Sequence, residues 1–152
     1  MIAQLKSAYL GELYGIAFFQ HFIEQRRDGD KQHVWQLLLD VELLTAKRLR
    51  EGFGQLGELM PETDEDKTAK GVADAGKWVD LPWQSLIDTM VDWVAPYQKR
   101  YQEATNRATE HFELFELVSD HENAIYDFLL AEQKGESNSV YILSDFLRKY
   151  QA

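Results

Sequence analysis

Apolar positions recur every three to four residues over four long stretches of this chain, the spacing that turns one stripe of a helix toward a partner. The first stretch, about Ile2 to Arg27, has a seam of Leu5, Tyr9, Glu12, Ile16, Phe19 and Ile23, and Asp28-Gly29-Asp30 closes it with turn chemistry. The second, about Lys31 to Phe53, takes Asp30 as its N-cap and reads Trp35, Leu38, Glu42, Thr45 and Leu49, with Gly52 and Gly54 marking its end. The third opens at Pro82 and reads Trp83, Leu86, Met90, Trp93, Tyr97, Tyr101 and Ala104; Pro96 inside it predicts a kink or a lost backbone hydrogen bond. The fourth, about Thr109 to Lys134, reads His111, Phe115, Val118, Glu122, Ile125 and Leu129 before Gly135 stops it. A short amphipathic helix, about Ser139 to Tyr150, follows and offers Val140, Ile142, Leu143, Phe146 and Leu147 for packing.

The connections carry topological information. Short turns make the first and second helices antiparallel neighbours, and likewise the third and fourth. The segment from Gly54 to Leu81 is too long for a hairpin turn and reads as a crossover. It has room for a short helix over Asp64 to Ala75, and Trp78 is either a staple onto the helices or part of a partner surface. No strand pattern occurs. The expected fold is all-α: one domain over residues 1–152, a four-helix bundle with a long crossover between helices two and three and a short C-terminal helix.

Composition narrows the chemistry. Of 152 residues, 16 are Lys or Arg and 26 are Asp or Glu, so the net charge is −10. That balance argues against nucleic acid and against an anionic membrane surface as partners. The absence of Cys excludes disulfides, thiolate metal sites and Cys nucleophiles. The N-terminus lacks a signal-peptide core, and no apolar run approaches the ~20 residues of a membrane span, so a cytoplasmic location is expected. Nucleotide-binding glycine loops, Ser-His-Asp sets and zinc-protease motifs are missing. Gly11 and Gly15 read as places for close helix approach rather than phosphate binding.

The seams contain three residues that a core does not normally take. Glu12, Glu42 and Glu122 each stand near the middle of their helices, at stripe positions. Glutamate is rarely buried without a partner, because desolvating a lone carboxylate is costly. Three at similar depth point to one shared polar site, in which a cation, a shared proton or hydrogen-bond donors relieve the repulsion. Among the histidines, His21 and His33 fall on the faces opposite Glu12 and Glu42, and His111 lies about 16 Å along the axis from Glu122. His121 alone reaches the edge of the site, about 100° around the helix from Glu122, where a supporting or surface role outweighs ligation. Two readings compete: a metal site on Glu12, Glu42 and Glu122 with His121 assisting, and a metal-free polar core in which Tyr9, Thr45, Tyr97, Tyr126 and His121 supply donors.

On Glu12 in Gly11-Glu12-Leu13-Tyr14-Gly15, Glu42 in Asp40-Val41-Glu42-Leu43-Leu44 and Glu122 in Asp120-His121-Glu122-Asn123-Ala124, the chain resembles the ferritin-like superfamily, in its rubrerythrin-like and tRNA-hydroxylase-like branch. The resemblance implies a di-iron or di-manganese centre held by a Glu from each of two helices and Glu-x-x-His from each of the other two. Thr45 and Ile125 stand where those histidines belong, and the third helix offers Met90, Trp93 and Tyr97 at mid-height instead of a glutamate. Three of six ligands are thus present, a degenerate version of the pattern. It implies iron- or manganese-dependent oxidoreductase or hydroxylase-like chemistry. The alternative is a non-enzymatic bundle that has lost its metals, with no cofactor, serving as a protein-interaction module or a holder of a small apolar ligand. A homodimer fits either reading.

Overall fold

A computed structural model of the chain describes residues 1–151. These residues form six α-helices and no strand: α1 (Ile2–Gln25), α2 (Gln32–Gln55), α3 (Glu65–Trp78), α4 (Trp83–Arg107), α5 (Phe112–Gln133) and α6 (Val140–Gln151). Among them, no helix is long and apolar enough to cross a membrane. The chain divides into two compact units, Met1–Asp80 and Leu81–Ala152.

In the first unit α1 packs against both α2 and α3. Two partners require a wider buried face than one seam provides. Leu5, Tyr9, Glu12 and Phe19 are buried as expected, but so are Ala8, Gly15, Phe18 and Phe22, while Ile16 and Ile23 are only half-buried. The α1–α2 contact centres on Phe22 stacked on Trp35, ring centroids 4.5 Å apart. The N-cap of α2 is Lys31, without a side-chain cap, rather than Asp30. The helix also runs through Gly52 and Gly54; the residue that takes a left-handed φ after it is Gly57, at +76°.

The crossover segment holds a full helix. Asp64 caps α3 by accepting a hydrogen bond from the Lys67 amide at 2.9 Å, and Glu65, Asp66 and Lys77 complement the helix dipole at its two ends. Trp78 staples α3 to α1, its ring meeting Phe18 edge-on at 5.9 Å. Contact is closest at Gly71, where a Cβ would stand 2.5 Å from the Tyr14 carbonyl oxygen. The ends of α1 and α3 are joined by Arg26, which pairs with Asp28 and donates to the Val79 carbonyl at 3.0 Å. That Arg26 hydrogen bond holds the Asp28 carboxyl below its ordinary value.

Tyr14 donates to Asp74 at 2.7 Å, and Lys77 pairs with the same carboxyl at 3.1 Å. Burial pushes the Asp74 carboxyl up, but the hydrogen bonds of Tyr14 and Lys77 and the charges of Lys77 and Lys70 outweigh it and leave the carboxyl below 3.8. A carboxyl whose folded pKa is depressed stabilises the fold above its unfolded pKa, and this contribution is lost as pH falls through the folded value. Tyr14→Phe is therefore expected to cost about 1 kcal/mol at neutral pH. The gap to wild type should narrow as pH drops below 3.8. Urea titrations across a pH series check this; a gap constant down to the lowest pH contradicts it.

In the second unit α5 packs against α4 and α6. α4 continues through Pro96. Its buried face is Leu86, Ile87, Met90, Val91, Val94, Tyr101 and Thr105, so the expected aromatic seam is displaced: Trp83 and Trp93 are half-buried and Tyr97 is 42% exposed. Polar side chains link α4 to α5, with Gln98 donating to Asn123 at 2.8 Å and Thr105 donating to the Phe115 carbonyl at 2.9 Å. His111 precedes α5 with a left-handed φ of 55°. α6 buries Leu143 and Phe146, and Tyr150 and Lys149 clasp Asp120 of α5, the lysine at 2.8 Å.

Candidate metal centre

Glu12 lies mid-way along α1 and Glu42 mid-way along α2, 2% and 5% exposed. Both sit on helix stripes whose other members are large and apolar: Tyr9 and Phe19 around Glu12, Leu38 and Leu49 around Glu42. The fold carries the carboxylates inward because the apolar residues one turn away on the same stripes must be buried. Gly15 follows Glu12 by three residues, on the same face of α1. The Glu42 carboxylate lies over it, so that a Cβ at position 15 would stand 2.6 Å from Glu42 Cδ and 2.8 Å from each carboxylate oxygen.

On α5 the buried ionisable side chain is His121, 3% exposed. Glu122 beside it is half-buried, its Oε1 3.6 Å from His121 Nδ1. The expected order of the two is thus reversed: His121 is the deep residue and Glu122 the flanking one. Glu12 and Glu42 each offer a carboxylate oxygen, and these lie within 4.8 Å of one another, so the first unit brings two buried carboxylates together.

Two of the hydroxyls expected to serve a metal-free polar core, those of Tyr9 and Thr45, are engaged elsewhere. A hydroxyl has one proton to donate. Tyr9 gives its proton to the Pro61 carbonyl at 2.7 Å and accepts from Arg50 at 3.1 Å. Thr45 gives its proton to the Val41 carbonyl of its own helix at 2.8 Å. Tyr97 is exposed and Tyr126 half-buried. Neither Tyr9 nor Thr45 therefore offers a proton to the carboxylates. Two buried carboxylates match the oxygen donors that first-row divalent metals accept.

No protein family, curated protein or solved structure matches the chain.

Two site features escaped sequence reasoning. The depth of His121 depends on helix phase: from Val118 a step of three reaches His121 and a step of four reaches Glu122, and both satisfy a helical stripe. The role of Gly15 was foreshadowed only by a glycine in the middle of a long helix, where it is unfavourable relative to alanine. The spacing of Gly11 and Gly15 predicts close approach of helix backbones; what approaches Gly15 is the end of the Glu42 side chain, while Gly11 has nothing within 4 Å of its would-be Cβ.

Proposed function

We propose that this chain is a carboxylate metalloprotein of the ferritin-like kind, a four-helix bundle that holds a divalent iron or manganese ion on Glu12 and Glu42. The observation that carries the reading is the approach of these two buried carboxylates, whose oxygens lie within 4.8 Å of one another. The two carboxylates match the charge of a divalent ion. So small a set of protein ligands leaves coordination positions open, the arrangement of a reactive rather than a purely structural metal. A bound iron or manganese ion supplies oxygen or peroxide activation. The protein's own residues hold the ligands: Phe19 and Trp35 pack beside one another on the two glutamate-bearing helices. The reduced ligand set supports one ion per chain in place of the pair implied by the resemblance.

The test is metal analysis of protein purified without chelator and then reloaded with manganese(II) or iron(II). About one equivalent per chain, lost in Glu12→Ala and in Glu42→Ala, supports the reading. No retained metal, together with a melting temperature that iron and manganese leave unchanged, overturns it, because a ligand that binds only the folded state must stabilise it.

A further inference from the structure

We infer that Gly15 is the positioning residue for Glu42: the missing side chain at position 15 is the slot in which that carboxylate lies. The inference rests on the metal reading above and assigns the site a component that is not itself a ligand. The three atoms nearest a would-be Cβ at this position are Cδ, Oε1 and Oε2 of Glu42, at 2.6, 2.8 and 2.8 Å. All three belong to the far end of one flexible side chain. An alanine here can be accommodated without moving either helix backbone, but only if the carboxylate leaves its place. Glu12 stands one turn earlier on the same face of α1, so this helix supplies one ligand and the seat of another.

Gly11 and Gly71 behave differently from Gly15. Gly11, one turn earlier, is exposed and has nothing within 4 Å. At Gly71 of α3 the obstacle is the backbone of α1 itself. Of these three, only Gly15 has an ionisable group in the place its Cβ would take. A mid-helix glycine is unfavourable relative to alanine, so retaining one at a buried helical position calls for a specific reason, and the seat of Glu42 is that reason.

The experiment compares wild type, Gly11→Ala, Gly15→Ala, Glu42→Asp and Gly15→Ala/Glu42→Asp. Manganese(II) affinity is read from the loss of the free-ion paramagnetic resonance signal, and thermal melting is followed on the metal-free proteins. Gly11→Ala should bind manganese as wild type does and melt roughly 2–4 °C higher through helix propensity alone. Gly15→Ala should fold but bind manganese about 10–100-fold more weakly, the loss typical when a group that orients a ligand is altered. Aspartate is one methylene shorter and withdraws the carboxylate from position 15. The change in melting temperature caused by Gly15→Ala should therefore be more favourable in the Glu42→Asp background than in wild type, the signature of two side chains in contact. Wild-type affinity in Gly15→Ala, or additive melting shifts in the double variant, overturns the inference. If wild type binds no manganese, the metal reading fails, and the melting cycle still decides the slot: coupling supports it and additivity overturns it.

Discussion

Glu42→Gln should shift the stability of the metal-free and metal-loaded protein in opposite directions. Without metal, Glu12 and Glu42 hold two carboxyl groups close together in a buried place, two like charges when both are ionised. At about 4 Å and an effective dielectric near 20 such a pair repels by about 4 kcal/mol, before any sharing of a proton relieves it. Glutamine keeps the shape of glutamate, removes one charge and brings an amide that can donate to Glu12. The metal-free variant is therefore expected to gain about 1–3 kcal/mol over wild type. With manganese in excess the order reverses. An ion at one hundred times its dissociation constant stabilises wild type by about 2.7 kcal/mol, whereas the variant has lost one of two charged ligands and gains little. Calorimetry in chelator and in manganese reads both signs. A variant less stable than wild type under both conditions would show Glu42 to be a structural hydrogen-bonding group and would count against the metal centre.

Gly71→Ala is expected to be among the most damaging small substitutions in the first unit. Its Cβ would stand 2.5 Å from the Tyr14 carbonyl oxygen, 3.1 Å from the Ala17 Cβ and 3.1 Å from the Phe18 nitrogen. These are main-chain atoms and a Cβ fixed to the main chain, so no rotamer change relieves them; α3 must lift from α1. Overpacking of this kind costs about 1–3 kcal/mol even after local adjustment. Lifting α3 also loosens the Phe18–Trp78 contact and the Tyr14–Asp74 hydrogen bond. Urea unfolding should show the loss, and the near-ultraviolet dichroism of Trp78 should weaken with it. Gly76→Ala is the matched control on the same helix: its nearest neighbour is His21 Nε2 at 4.0 Å, and stability should be retained. Equal effects at 71 and 76 would mean that helix–helix contact at Gly71 is not the cause.

The sequence was legible wherever burial follows a simple stripe. Trp35, Leu38, Glu42, Thr45 and Leu49 of α2 are all buried, with Val34, Leu39, Val41, Ala46 and Phe53 widening the face on either side. Legibility failed where a helix has two neighbours or where its pattern is broken. The face of α1 extends to Phe18 and Phe22 because α3 packs there, and nothing local to α1 announces a partner dozens of residues later. Around Pro96 the buried position is Val94 rather than Trp93 or Tyr97, so aromatic size proved a poor guide to depth. At the site, Glu12 and Glu42 were readable as carboxylates out of place. His121 was placed one step too shallow, because glutamate at position 122 fitted the resemblance and the helical spacing allowed either residue.

The return of α3 to α1 has a consequence for the order of assembly. The α1–α2 and α4–α5 contacts join helices adjacent in sequence, whereas Tyr9–Pro61, Lys6–Glu58 and Tyr14–Asp74 join residues 52 to 60 apart. Closing a loop carries an entropic cost that grows with its length, and contacts distant in sequence form more slowly than local ones. The helical hairpins are thus expected to become protected from amide exchange first during refolding, with α3 acquiring protection last. In the window before α3 docks, Phe18 and Gly71 are uncovered and the chain is most open to proteolysis, so the late-docking helix is where a chaperone or a protease would first sense this protein.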